Sequence, residues 1–139
     1  MFKKILIAND GSHTALQALS MGLGLARQYG SEAHMVSVEE IPYMPEFVDE
    51  VESRDEGAQR RIKKLIEQSN EVAAKEGVKL RAHVIKGHPV RDIVKLCADL
   101  QVDLLVIGAV GHSALYERLI GSRADRIVQL ARCPVLVAK

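Results

Sequence analysis

The chain lacks several features that would point to particular classes of protein. None of its 139 residues is tryptophan and only 4% are aromatic, which disfavours the stacking platforms of single-stranded nucleic-acid binders. Its 19 basic and 18 acidic residues leave a formal net charge of +1, whereas polyanion-binding proteins usually carry a basic excess. We therefore expect no nucleic-acid partner, with a local basic patch left as the open alternative.

Cysteine and long apolar runs are also scarce. The two cysteines, Cys97 and Cys133, form no CxxC pair or Cys/His cluster, so neither a disulfide framework nor a zinc site is indicated. No apolar run reaches the roughly 18 residues of a membrane-spanning helix. The short apolar run near the start meets Asn9 and Asp10 instead of a signal-peptide cleavage site. These absences predict a cytoplasmic protein without membrane insertion.

The composition that remains is that of one globular domain. Hydrophobic residues make up 47% of the chain and charged residues 27%, close to the average for soluble globular proteins. A chain of this length buries roughly two thirds of its unfolded surface when it folds. We expect a single domain over residues 1–139.

Apolar patterning alternates between two periods along the chain. Short apolar runs predict strands, and apolar residues at helical spacing predict the helices between them. Residues 104–107 (LLVI) predict a strand covered on both faces, and the alternating segment 78–85 predicts one near a sheet edge. The predicted strands are 3–9, 33–38, 78–85, 104–107 and 135–138; the predicted helices are 14–29, 53–76, 89–100 and 122–132, and 41–51 is predicted to be a surface loop.

Strict alternation of strands and helices is typical of parallel α/β sheets. Because parallel strands are joined by right-handed crossovers, the five strands should form an open sheet with helices on both faces. Ligands of such sheets bind beyond the carboxyl ends of the strands, where strand order reverses. This rule directs attention to residues 8–12, 38–39 and 108–112.

The segment from Gly108 to Ser122 is the most informative of the chain. It consists of glycine, two residues, glycine, nine residues and Gly-Ser. Gly108 and Gly111 keep side chains away and let backbone amides turn toward an anion, while Gly121 and Ser122 begin a helix whose first amides favour a phosphate. The spacing indicates an anion pocket. The structural alternative is a simple turn, with Ser122 and Asp125 forming a capping box.

The segment IGAVGHSALYERLIGSRADRI, with the start KKILIANDGS and the end CPVLVAK, resembles the universal stress protein family. The likeness is to the nucleotide-binding branch with the motif G-x2-G-x9-G-S/T, and it spans essentially the whole chain. It implies a Rossmann-like parallel sheet in strand order 3-2-1-4-5 and an adenine nucleotide, ATP or AMP, with Mg²⁺ bridging phosphates as a further option. It also implies a homodimer through the last strand, at Val135, Leu136 and Val137.

The resemblance also assigns roles to individual residues. Ala8, Asn9 and Asp10 match the segment that borders the adenosine, and Asp10 matches its ribose-side carboxylate. Val38 matches the residue whose backbone pairs with the adenine edge. The ribose and phosphate cradle matches Gly108, Gly111, His112, Gly121 and Ser122.

Two departures from the family pattern bear on phosphate binding. Val110 stands where many members carry His or Arg, so one polar or cationic contact is missing. His112 takes a position that is often basic, and an imidazole is only partly charged at neutral pH. Arg118 and Arg123 could compensate, although an exposed arginine beside a helix is more often a solvated charge. The departures weigh against tight triphosphate binding more than against adenine-nucleotide binding.

Other combinations of reactive residues carry less weight. Asp10, Ser12 and His13 are the residue types of a hydrolytic triad, but neighbours in one turn do not point at one another in order. Ser12 is better interpreted as a helix cap. Residues 84–87 lack a receiver-domain aspartate, no Walker lysine follows a glycine loop, and the glycines at 22 and 24 lie inside a helix. No catalytic residue is assigned.

We therefore expect an adenine-nucleotide-binding protein that acts as a homodimeric stress-response sensor or regulatory module. Two alternatives stay open: a slow ATPase in which Asp10 holds metal or water, and a nucleotide-free dimeric interaction module. The glycine motif speaks against the module. The lack of a positioned base or lysine clamp speaks against efficient phosphoryl transfer.

Overall fold

Strands and helices alternate along the chain, as the apolar pattern predicts. The computed structural model describes residues 1–41, 48–110 and 120–139, with backbone only for 48–55. The strands are β1 (Lys4–Ala8), β2 (Glu32–Glu40), β3 (Leu80–Gly87), β4 (Leu104–Gly108) and β5 (Val135–Ala138); the helices are α1 (His13–Tyr29), α2 (Val48–Lys75), α3 (Pro89–Leu100) and α4 (Ser122–Leu130). The described strands form one parallel sheet in the order β3-β2-β1-β4-β5, which confirms the predicted class and strand order.

Several boundaries differ from the predicted ones. β2 continues past Val38 to Glu40, because β3 pairs with it over that length, up to Glu40 and Gly87. β3 begins at Leu80 and not at 78, because Gly77 has a φ of 70° and the following turn closes α2. The predicted loop 41–51 is wrong in its last part, since α2 already begins at Val48, while residues 42–47 lie outside the described part of the chain.

The two central strands form the middle of the core. Ile5, Leu6 and Ile7 of β1 and Leu105 and Val106 of β4 are completely buried, so the fully covered strand predicted at 104–107 is confirmed. Alternate residues face opposite layers. Side chains such as Ile7 pack against α1 and α2, and side chains such as Leu6 pack against α3 and α4.

The sheet edge at β3 carries a histidine pair instead of an apolar contact. His34 Nδ1 of β2 lies 2.8 Å from His83 Nε2 of β3, and the other ring nitrogen of His34 lies 2.7 Å from Glu32. Burial, followed by the charge of His34, lowers the pKa of His83. The two histidines therefore connect β2 and β3 within the described sheet.

The two cysteines lie in one apolar layer, between α3 and the turn before β5. Cys97 and Cys133 are both free thiols and pack in the core on the α3 and α4 side. Burial, followed by the neighbouring Cys133 thiol, raises the pKa of Cys97 to about 12. Since the thiolate is the reactive form, Cys97 behaves as a small apolar side chain. No helix in the described part of the chain is long and apolar enough to cross a membrane.

Helix α1 lies close against the sheet at Gly22. A Cβ atom added there would lie 2.6 Å from two side-chain atoms of the completely buried Ile7. Gly24, two residues further, has no such neighbour within 4 Å. The two glycines of α1 therefore differ. Packing against Ile7 requires a glycine at position 22, whereas position 24 has space for a side chain.

We predict opposite effects for alanine at these two glycines. Gly22→Ala should lower the free energy of unfolding by about 1–3 kcal/mol, because the added methyl group would overlap the completely buried side chain of Ile7. Gly24→Ala should raise it by up to about 1 kcal/mol, because alanine favours the helix. Urea denaturation followed by circular dichroism measures both, and equal effects of the two substitutions would contradict this packing.

Candidate functional site

The sheet has a crevice where its strand order reverses. The chain leaves β1 toward α1 on one face of the sheet and leaves β4 toward α4 on the other. Neighbouring strands whose connections diverge in this way leave a crevice beyond their carboxyl ends. The predicted site residues that the structure describes all lie around these ends of β1, β2 and β4.

The turn after β1 is shaped by short polar side chains. Gly11 has a φ of 82°, which glycine adopts without strain. Asp10 is exposed, and its Oδ1 accepts a hydrogen bond of 2.9 Å from the Ser12 amide. Ser12 Oγ in turn accepts one of 3.3 Å from the Ala15 amide. The predicted capping role of Ser12 is confirmed, and α1 therefore begins beside an exposed carboxylate.

Asn9 is buried below this turn, with an exposed fraction of 2%. Its backbone amide donates to Val36 O at 2.9 Å, and its carbonyl accepts from Ser37 Oγ at 2.7 Å. Its side chain donates to Ser69 Oγ at 3.3 Å and accepts from the Gly11 amide at 3.0 Å. Asn9 thus ties β1 to β2, to α2 and to its own turn. These bonds give the buried side chain of Asn9 a positioning role, and its border with the adenosine stays a prediction.

Strand β2 extends beyond the end of its neighbour β1. The last backbone hydrogen bond that β2 receives from the β1 side is the one that the Asn9 amide donates to Val36 O. Backbone groups of a strand alternate sides with each residue, so those of Val38 face the same side as those of Val36. Because β1 ends at Ala8, the backbone of Val38 faces the crevice.

The end of β4 is held against the first turn of α1. Thr14 Oγ1 donates to Val110 O at 2.5 Å and accepts from the Val110 amide at 3.2 Å. A Cβ atom at Gly108 would lie 2.5 Å from Thr14 Oγ1 and 2.7 Å from the Ala15 amide nitrogen. The close neighbours of Gly108 are therefore atoms of α1, so packing alone requires glycine here. Thr14 is a site residue that the sequence analysis did not identify.

Helix α4 begins one residue earlier than a serine cap would place it. Gly121 is the N-cap, and Ser122 is the first residue of the helix. No side-chain hydrogen bond caps this helix, so the capping box proposed for Ser122 and Asp125 is wrong. Gly121 donates its own amide to Ala109 O at 2.6 Å. The amides of the first helical turn, beginning at Ser122, have no intrahelical acceptor and carry the positive end of the helix dipole.

An ion pair joins the start of α4 to the end of β2. Arg123 Nη2 contacts Glu40 Oε1, and both side chains are about half exposed. The predicted site residue Arg123 is therefore at the crevice, paired with a carboxylate. Gly111, His112 and Arg118 lie outside the described residues.

Two hollows on the surface lie away from this crevice. Each has a volume of about 320 Å³. One is an apolar groove between α2 and β3 that includes Ile62, Ile66 and Val84. The other, at the opposite end of the sheet, is polar and includes Arg27 and Arg81. The apolar groove also includes Glu39, from the selected segment 38–39, whereas the polar hollow contains no residue that the sequence analysis selected.

We predict that the two hydrogen bonds of Thr14 stabilise the fold as well as the site. Thr14→Val keeps the shape of the side chain but leaves the Val110 amide and carbonyl without this partner, so the free energy of unfolding should fall by about 1–3 kcal/mol. Thr14→Ser keeps the hydroxyl and should cost less. Chemical denaturation measures both, and a Thr14→Val protein as stable as the parent would contradict the role of this contact.

Comparison with known proteins gives full-length matches. The model of the universal stress protein family matches residues 1–139. The universal stress protein YxiE of Bacillus subtilis is 33% identical, with 100% of both chains covered. The universal stress protein MJ0531 of Methanocaldococcus jannaschii is 31% identical over 100% of this chain and 83% of its own length.

Solved structures match the fold. Universal stress protein UspA from Lactobacillus plantarum superposes with a TM-score of 0.87 at 23% identity, covering 99% of this chain and 97% of its own. A universal stress protein in complex with cAMP gives a TM-score of 0.73 at 22% identity, with 99% and 97% covered. One from Archaeoglobus fulgidus in complex with dAMP gives 0.69 at 23% identity, with 99% and 98% covered.

Proposed function

Because the chain belongs to the universal stress protein family, we propose that it binds an adenine nucleotide, ATP or AMP, and acts as a cytoplasmic, homodimeric stress-response sensor or regulatory module. The observation that carries the proposal is the crevice between β2 and α4, with strand backbone on one side and a helix N-terminus on the other. Two solved members of the family are complexes with cAMP and dAMP, which supports this class of ligand. The proposal includes no nucleic-acid partner.

The adenine ring is assigned to the β2 side of the crevice. A strand backbone that faces an open crevice presents both a donor and an acceptor, and the Watson–Crick edge of adenine carries the complementary pair. The backbone of Val38 has this position, since β1 ends at Ala8 and no longer pairs with it. Ala8 and the turn held by Asn9 then form the floor beneath the adenosine.

The ribose and phosphates are assigned to the opposite side. The exposed carboxylate of Asp10 accepts hydrogen bonds from hydroxyl groups, as a ribose requires. The first-turn amides of α4 from Ser122 onward, with the guanidinium of Arg123, suit an anion. Gly108, Val110 and Gly121 act through backbone geometry, and Gly111 and His112 keep their proposed place in the phosphate cradle.

A metal ion would depend on the nucleotide itself. Among the described side chains, those of residues 1–41, 56–110 and 120–139, no three His, Cys, Asp or Glu are grouped as metal ligands. Mg²⁺ prefers phosphate oxygens supplemented by one or two carboxylates, and Asp10 is the carboxylate that follows β1. Phosphate release that persists in Asp10→Ala would count against the slow ATPase in which this residue holds metal or water.

The homodimer is assigned to β5, the edge strand of the described sheet. The carbonyl groups of Pro134 and Ala138 accept bonds from the β4 side. By alternation, the backbone groups of Val135 and Val137 face away from β4. The exposed fraction of Leu136 is 36%, so this edge also offers apolar surface. An unpaired edge of this kind is a template for pairing with a second chain.

We predict measurable binding of adenine nucleotides that depends on Asp10. Calorimetric titration of ATP and AMP into the purified protein should give a saturable signal. Asp10→Asn keeps an oxygen for the Ser12 amide but removes the charge, and should weaken binding by about tenfold or more. Asp99→Asn, on the outer surface of α3, is the matched control and should change nothing. Absence of both heat and thermal shift at millimolar nucleotide would refute nucleotide binding.

We predict that proline at position 137 converts the dimer to a monomer. Val137→Pro removes an amide that faces away from β4, so pairing between copies should be lost while the sheet is kept. Val137→Ala keeps the amide and serves as the control. Sedimentation velocity measures the oligomeric state, with circular dichroism to check folding. A folded Val137→Pro protein that stays dimeric would rule out this edge.

A further inference from the structure

We propose that Glu40 is a specificity-determining residue that reduces the preference of the crevice for highly phosphorylated nucleotides by holding Arg123 in an ion pair. The inference rests on the proposed function, because it concerns the ligand class of the same site. It assigns a role to a carboxylate that the sequence analysis did not select.

The pair spans the crevice from one side to the other. Glu40 is the last residue of β2, and Arg123 is the second residue of α4. Since Ala8, the last residue of β1, pairs with Val36, Glu40 lies beyond the end of β1, on the carboxyl side of the sheet. Glu40 also lies two residues after Val38, so both side chains are on the same face of the sheet, the face that α4 covers.

Several other surface ion pairs between described side chains are placed differently. Arg81 of β3 pairs with Glu32 at the start of β2. Lys95 and Asp99 are one turn apart in α3, and Arg91 and Asp92 are adjacent. Arg27 joins α1 to Glu76 at the opposite end of the sheet. Among these pairs, the one between Arg123 and Glu40 is placed where a bound nucleotide would meet it.

The charge of the pair determines its effect on phosphates. Arg123 alone would place a full positive charge beside the N-terminus of α4, and the attraction would grow with each added phosphate. The carboxylate of Glu40 offsets that charge, because its repulsion of the phosphates opposes the attraction by Arg123. One guanidinium nitrogen contacts Glu40, and a guanidinium has five N–H donors, so Arg123 can contact a phosphate without releasing its partner.

Partial exposure keeps both groups available to a ligand. The side chains of Arg123 and Glu40 are 50% and 55% exposed. Exposed pairs contribute little to folding stability, so substitution of either residue should leave the fold intact. The pair therefore affects the ratio of affinities for ATP and AMP, while its contribution to the free energy of unfolding is small.

The experiment compares ATP and AMP affinities by calorimetry in the full chain and in Glu40→Gln, Arg123→Gln and the double variant. Glu40→Gln should raise the affinity for ATP relative to AMP by about three- to fivefold, and Arg123→Gln should lower it by a similar factor. The double variant should return close to the parent ratio. The effect of Glu40→Gln should shrink in high salt, because added ions screen exposed charges.

Asp99→Asn serves as the control, because it breaks an exposed ion pair far from the crevice. An unchanged ATP-to-AMP ratio in a folded Glu40→Gln protein that still binds nucleotide overturns the role of Glu40 and leaves the proposed function standing. A parent protein that binds neither nucleotide overturns both. Thermal denaturation of each variant confirms that the comparison is made between folded proteins.

Discussion

The contact between the first turn of α1 and the end of β4 fixes the geometry on which the site depends. Gly108 has no side chain, so Thr14 and Ala15 lie directly against it. The hydroxyl of Thr14 then satisfies both backbone groups of Val110. These contacts join two elements 96 positions apart in sequence, at the point where strand order reverses. The first turn of α1 therefore positions the β4 side of the crevice.

Much of the fold follows from the sequence, but less of the site does. The apolar run at 104–107 predicts a buried central strand because consecutive apolar residues require cover on both faces. No local signal predicts that Thr14 reaches Val110, or that Asn9 is buried by Ser69 of α2, because both contacts join distant segments. The serine at 122 matches a capping pattern, yet the helix begins at that residue and not after it.

The crevice combines a fixed floor with an adjustable mouth. The floor is tied by buried hydrogen bonds of Asn9 to Ser37 and Ser69, and breaking such bonds leaves buried polar groups without partners, at a cost of about 1–3 kcal/mol each. The mouth is crossed by the half-exposed ion pair of Glu40 and Arg123. Exposed ion pairs contribute about 1 kcal/mol or less to the free energy of unfolding. A ligand can therefore displace the ion pair at the mouth without breaking the hydrogen bonds of Asn9 in the floor.

The two ends of the sheet, which we call the amino rim and the carboxyl rim after the strand ends that they contain, differ in how the chain connects helices and strands. At the amino rim, α1 and α3 end at residues in the left-handed conformation, Gly30 and Gln101, and the next strand follows within residues 30–31 and 101–103. The two longest connections, 41–47 and 109–121, both belong to the carboxyl rim. Tight caps tolerate few insertions, whereas long connections accept them. Insertions at the carboxyl rim would therefore change the surroundings of the crevice, while the amino rim keeps the architecture constant.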